Sequence, residues 1–184
     1  VSIAAVLGLL AALALYRHKY LLGKLFYTIT MLPILVPGLV LGVALLIFYM
    51  FLKFELNIRT IIIGHVTFLL PVIMVAVLSR LERLSPSYEQ ASRDLGANAI
   101  QTFFLVTLPN IRTALIGALF FAFTLSFDNI VVTFFLTGFQ KTLPLEFWGR
   151  IRFGLTPATN AVATIMVCLS IILIIVANRF MNED

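Results

Sequence analysis

Long apolar runs, interrupted by short polar stretches, dominate the chain. Five of them are candidates for membrane-crossing helices: Val1 to Leu15, Thr28 to Leu52, Ile58 to Leu78, Ile111 to Gly138 and Ala161 to Ala177. A helical crossing takes about 20 apolar residues. Barrel strands would show strict alternation over about ten residues instead. The runs here do not alternate, so the expected class is all-α, a polytopic helical membrane protein with about five spans. Pro33, Pro37 and Pro71 fall inside two of the runs and mark expected kinks.

Composition agrees with lipid as the solvent. The 184 residues are 61% hydrophobic and 11% charged, with a mean hydropathy of +1.09. A water-soluble domain carries about a quarter charged residues. The chain opens on Val1-Ser2-Ile3, already apolar, with no charged leader and no cleavage site, so the expectation is a single transmembrane domain over residues 1–184 that begins inside a spanning helix, with at least one segment upstream. Cys168 is alone, which excludes an internal disulfide and a thiolate metal cluster and fits a small packing residue. His18 sits among loop charges, and His65, in the third run, is expected to bond a neighbouring helix rather than a metal.

The net charge of +5 points to orientation rather than to nucleic acid. Arg17, Lys19, Lys24, Arg80, Arg83, Arg93, Arg112 and Arg179 lie on one side of the expected topology, against Lys53, Arg59, Lys141, Arg150 and Arg152 on the other. The richer side is cytoplasmic by the positive-inside rule. That places the central polar stretch and the C-terminus inside, and residues 139–157 outside.

The central stretch, residues 85–109, is the least membrane-like part of the chain. Ser85-Pro86 predicts a helix start, with Ser87 and Gln90 as a competing capping box. Gly96 can stop that helix in a left-handed conformation. Asn98 with Gln101 suits a second start, and Pro109 is expected to end the second helix before the next span. Glu89, Arg93 and Asp94 are expected on the outer surface. From spacing alone, a solvated interfacial hairpin and a docking element for a soluble partner are equally admissible.

The residues Glu89-Gln90-Ala91, Gly96 and Val106-Thr107-Leu108-Pro109 resemble the EAA loop of ABC importer permeases, with Gln90 for an alanine and Val106 for an isoleucine. In that family the loop is a coupling helix seated on an ATP-binding subunit. The resemblance implies that Glu89, Ala91 and Gly96 shape the loop and that Arg93 and Asp94 contact the ATPase. No G-x-x-x-x-G-K-[ST] phosphate loop occurs here, so ATP and Mg are expected in the partner and no cofactor in this chain. The segments "HVTFLLPVIMVAVLSRLERL", "FTLSFDNIVVTFFLTG" and "TLPLEFWGRIRFGLTPATNAVATI" look like spermidine/putrescine importer permeases of the PotC type. The resemblance implies a bacterial inner membrane, a second and different permease chain, two cytoplasmic ATPases and an extracytoplasmic binding protein. No nucleic acid is expected.

Polar groups inside a span usually face a cavity or another helix. With about 100° per residue, Thr124, Asp128, Asn129, Thr133 and Ser126 share one arc of the fourth run, and phenylalanines fill the other. That arc is the expected substrate pathway, with Asp128 in the outer half as the group that suits a cation. The competing reading is that Asp128 caps or bonds a helix. Trp148, in the external segment, is the expected gate beneath a binding protein; an interfacial connector is the alternative. Three further possibilities stand beside the polyamine importer: a permease for another small organic solute, an inert truncated subunit, and an intramembrane enzyme. The last lacks a catalytic set, since Asp128 is alone and His65 has no serine partner evident in the sequence.

Overall fold

The computed structural model describes residues 1–17, 21–151 and 157–182. His18, Lys19, Arg152 and the end of the external segment lie outside the described residues. Among the described residues every regular element is helical. In chain order these are α1 (Ser2–Arg17), α2 (Leu21–Leu35), α3 (Gly38–Phe51), α4 (Ile58–Arg83), α5 (Pro86–Asp94) and α6 (Ala99–Thr102). A π-helical turn (Phe103–Thr107) follows, then α7 (Leu108–Phe127), α8 (Val131–Leu136), α9 (Leu143–Ile151) and α10 (Pro157–Asn182).

Helix α4 is the axis of the molecule. Asn57 caps it, accepting from the Arg59 N–H at 2.8 Å, while the Asn57 N–H donates to Thr60 Oγ1 at 2.9 Å. Leu69, Ile73, Val77 and Leu81, spaced four apart, are fully buried together with Met74. This stripe packs against α1, and α4 also touches α2, α3, α7 and α8. Lipid tails are as apolar as leucine, so helices in a membrane associate through close packing at small residues. Gly8 of α1 lies against Ile73 and Gly42 of α3 against Phe135. Pro71 is accommodated inside α4 without a break.

Two expected spans are not single helices. The run Thr28–Leu52 is split into α2 and α3, bent by 109°. Pro37 fixes its own φ at −52° at the start of α3 and disfavours a helical Val36 before it. The run Ile111–Gly138 fails at both ends. Its helix begins at Ala99 and runs 29 residues to Phe127, and α8 is a separate piece. Pro109 therefore does not end a helix; it sits in the first turn of α7. The reason is the π turn just before it. A proline supplies no N–H and its ring collides with the carbonyl four residues back. Widening the turn relieves both problems, and the Leu108 N–H bonds the carbonyl of Phe103, five residues back.

By length and composition, two described helices can cross a membrane, Ile58–Arg83 and Ala99–Phe127, or three if the bent α2–α3 pair is one span. Helix α1 and the described apolar part of α10 are shorter apolar helices. Large apolar side chains cover the outside, among them Leu22, Phe51 and Ile172.

Candidate functional site: the loop and the polar cluster at the two ends of α4

The loop follows the C-terminal end of α4. Ser85 is the N-cap of α5 and accepts from the Ser87 N–H, so it prevails over Ser87 as the start. Gly96 has φ +85°, a left-handed value that most side chains resist. Asn98 and Gln101 form the expected reciprocal box at 2.9 Å each. Ser92 on α5 bonds Thr102 on α6 at 3.0 Å, buried between the two helices.

Glu89 departs from expectation. It turns inward rather than to the outer surface, accepts from Thr107 Oγ1 at 2.8 Å and lies 3.8 Å from Arg93. The outward face is made of Tyr88, Ala91, Asp94 and Leu95, with Arg93 beside them. Leu95 is 89% exposed and Ile100 70% exposed, an apolar tip on a polar loop that the expected contacts did not include. Arg80 Nε donates to the Asn110 carbonyl at 3.0 Å and ties α4 to α7 beside the loop.

The second site lies two turns into α4. His65 is buried. Its Nδ1 is 2.8 Å from Ser126 Oγ on α7 and its Nε2 is 2.9 Å from Thr133 Oγ1 on α8. The proton positions follow from the network. Thr133 donates its one hydroxyl proton to the Asn129 carbonyl at 2.6 Å. Its oxygen must then accept from His65 Nε2–H, which leaves Nδ1 of the neutral ring to accept from Ser126. The chain of bonds runs from Ser126 through His65 and Thr133 to the Asn129 carbonyl.

This arrangement redistributes the five expected pathway residues. Ser126 and Thr133 meet at His65. Asn129 is a capping group, its side chain accepting from the Val132 N–H at 3.0 Å. Thr124 bonds the Phe120 carbonyl of its own helix. Asp128 is exposed and is the C-cap of α7. The single polar arc does not form, because the helix stops at Phe127 and Thr133 belongs to α8. His65 does have a serine partner, contrary to expectation, yet the group on its far nitrogen is a threonine hydroxyl rather than the carboxylate that orients a catalytic histidine.

Trp148 is half-buried and packs edge-on against Phe134 of α8, with centroids 6.1 Å apart. Helix α9 is thereby braced on α8. At its exposed face Arg150 Nε donates to Glu146 at 3.0 Å and Lys141 lies 3.5 Å away. The Arg150 hydrogen bond, then the Lys141 charge, hold the Glu146 carboxyl below its ordinary range. The pair is therefore fully formed above the ordinary carboxylate pKa and is lost as pH falls through the lowered one.

A pocket of about 290 Å³ opens beside the cluster, lined in part by His65, Ser126, Phe123, Phe127 and Thr142. Among the described residues, no group of three or more His, Cys, Asp or Glu is placed to hold a metal.

The chain matches the family described as binding-protein-dependent transport system inner membrane component over residues 4–182. It is 33% identical to the spermidine/putrescine transport system permease protein PotC of Escherichia coli (strain K12), covering 100% of this chain and 69% of that one. It is 36% identical to the putrescine transport system permease protein PotI of the same organism, covering 89% and 61%. A chain of the MetNI methionine ABC transporter in an inward-facing conformation superposes with a TM-score of 0.77 at 18% identity, covering 98% of this chain and 89% of that one, a likeness of fold. The protein belongs to the family of binding-protein-dependent transport system inner membrane components, and is a membrane permease subunit of the ABC importer type.

Proposed function

We propose that this permease moves polyamines of the spermidine and putrescine class into the cytoplasm of a bacterium. The observation that carries the reading is the 33% identity to PotC across the whole chain. ATP and Mg are bound by separate cytoplasmic ATPase subunits, and this chain docks on them through α5. Ala91, Arg93, Asp94 and Leu95 make the contact, while Gly96 sets the turn and Glu89 braces the loop from within. A second, different permease chain completes the pathway, and an extracytoplasmic binding protein delivers the cargo. The protein crosses the inner membrane several times.

The fold supplies a lever for this work. The helix from Ala99 to Phe127 is continuous through the π turn. At 1.5 Å per residue, its 29 residues span about 43 Å. Closure of the ATPases displaces α5, the Ser92–Thr102 and Glu89–Thr107 bonds pass the displacement on, and the far end of the rod carries Ser126. There the bonds to His65 hold α7 and α8 against α4, a packed joint with two arrangements. Asp128, exposed at the rod's end, attracts the cationic cargo.

Uptake of labelled spermidine and putrescine, in cells carrying the whole transporter, tests the reading. Asp128→Asn is expected to lower uptake about tenfold, the worth of one charged contact, while the ATPase still binds. A wild-type complex that assembles yet imports neither amine would sink it.

A further inference from the structure

At the end of α4 that leads into the loop, a cavity of about 320 Å³ opens between α2 and α4, with Leu15 of α1 at its side. A water occupies about 30 Å³ of liquid, so the space is larger than a few bridging waters need. Lys24 and Tyr27, one turn apart on α2, line one wall. Ser79 and Glu82, one turn apart on α4, line the other, and Leu78 adds apolar surface. All four polar side chains are exposed. Among the described residues no ion pair joins Lys24 to Glu82, and none of the four head groups is spent on a protein partner.

The depth of the cavity follows from the length of α4. Its 26 residues extend about 39 Å at 1.5 Å per residue, against a hydrocarbon core about 30 Å thick. Glu82 lies in the last turn of α4 and Lys24 in the first turn of α2. Both therefore stand at the level of the lipid headgroups. Further along α2, Leu25, Phe26 and Ile29 are exposed, an apolar surface of the kind acyl chains cover.

A cation on one wall and an anion on the other select the ligand. Free phosphate or a phosphoglycerol headgroup would meet Lys24 but be repelled by Glu82. A trimethylammonium would bring Glu82 a charge without an N–H to donate. A headgroup with both a phosphate and a primary ammonium satisfies the two walls together. Its phosphate accepts from Lys24 and the Tyr27 hydroxyl, and its ammonium donates to Glu82 and Ser79 Oγ.

We propose that this cavity binds the headgroup of a phosphatidylethanolamine lipid, which bridges α2 to α4 at the membrane surface. Helix α2 otherwise packs chiefly on α4, so the lipid acts as a second clasp between them. The assignment is independent of the cargo.

The test uses the complete transporter, with its partner permease and ATPases, in phosphatidylcholine vesicles with or without phosphatidylethanolamine or phosphatidylglycerol. In a Cys168→Ala background, Ser79→Cys on this chain is expected to react with a maleimide about tenfold more slowly when phosphatidylethanolamine is present, the worth of one charged hydrogen bond. Phosphatidylglycerol should not slow it. Glu82→Gln should abolish the protection with the complex still assembled. Tyr27→Phe, which keeps the ring, should weaken it about fivefold, the worth of one neutral hydrogen bond, and decides the matter if Glu82→Gln fails to assemble. Equal labelling in all three membranes overturns the site, as does protection that both variants leave unchanged. Stronger protection by phosphatidylglycerol, or equal protection by soluble phosphoethanolamine, overturns the lipid assignment in favour of an anionic or a soluble ligand. A thiol blocked in every membrane overturns it in favour of a protein segment.

Discussion

Thr133 has one proton to give, and its gift to the Asn129 carbonyl puts a proton on His65 Nε2 behind it. His65 thereby becomes the joint of three helices. His65→Phe fills the space but leaves Thr133 and Ser126 without the ring nitrogens. The expected loss is about 1–3 kcal/mol, read as earlier thermal unfolding of the purified complex, whereas His65→Gln should recover part of it. A variant as stable as the wild type would mean that the joint contributes no stability. Glu89 is the matching residue in the loop. Glu89→Ala removes the acceptor for Thr107, and Glu89→Gln keeps an oxygen there. Alanine should weaken coupling of ATP hydrolysis to transport more than glutamine does, and equal effects would assign the role to the charge instead. Gly96→Ala, forced to φ +85°, should cost about 1–2 kcal/mol of loop order.

At the scale of elements, close approach explains where the chain tolerates change. A Cβ on Gly138 would lie 2.1 Å from the Leu56 carbonyl oxygen, a backbone atom that cannot swing aside. Gly138→Ala is therefore expected to destabilise the packing of the α8 end against the start of α4 by about 1–3 kcal/mol. Gly149, inside α9, meets nothing within 4 Å among the described residues. Gly149→Ala should be neutral or stabilise by about 0.5–1 kcal/mol, the helical advantage of alanine. Thermal unfolding of both variants side by side checks the contrast, and the reverse order would mean that α8 does not sit against Leu56. The π turn belongs to the same scale. Pro109→Ala restores an N–H and removes the ring clash, so an ordinary α turn becomes available and the rod changes its phase. Weaker coupling with unchanged ATPase binding is the expected result.

At the scale of the molecule, the two sites are joined by one rod and one axis. The loop end of the rod carries exposed Ala91 and Leu95 nearby; the far end carries the His65 cluster. Surface substitutions away from packing change stability by only about 0.5 kcal/mol. Ala91→Trp and Leu95→Asp should therefore leave the permease folded and abolish its stimulation of the ATPase, assayed on the reconstituted complex. Retained stimulation in both would overturn the proposed docking of an ATPase on α5.

Local chemistry alone was enough to determine a helical membrane protein, the caps at Ser85 and Asn98, and the left-handed turn at Gly96. Each is decided within a few residues, by side-chain reach, by a missing Cβ, or by the length of an apolar run. The coupling-loop resemblance was legible for the same reason, as a contiguous motif. Pro37 and Pro109 were visible as letters, but their effects were not. Pro37 broke a run outright, Pro71 was absorbed, and Pro109 was bypassed by a wider turn, because neighbouring helices decide how a freed carbonyl is satisfied. The polar arc drawn through Thr124 to Thr133 assumed one helix, and the break after Phe127 dissolved it. Ser126, His65 and Thr133 are 61 and 68 residues apart in the pairs that join them. No periodicity links positions so distant. Only the packing of α7 and α8 on α4 brings them within hydrogen-bond reach, and buried polar groups in an apolar interior then have no partners except one another.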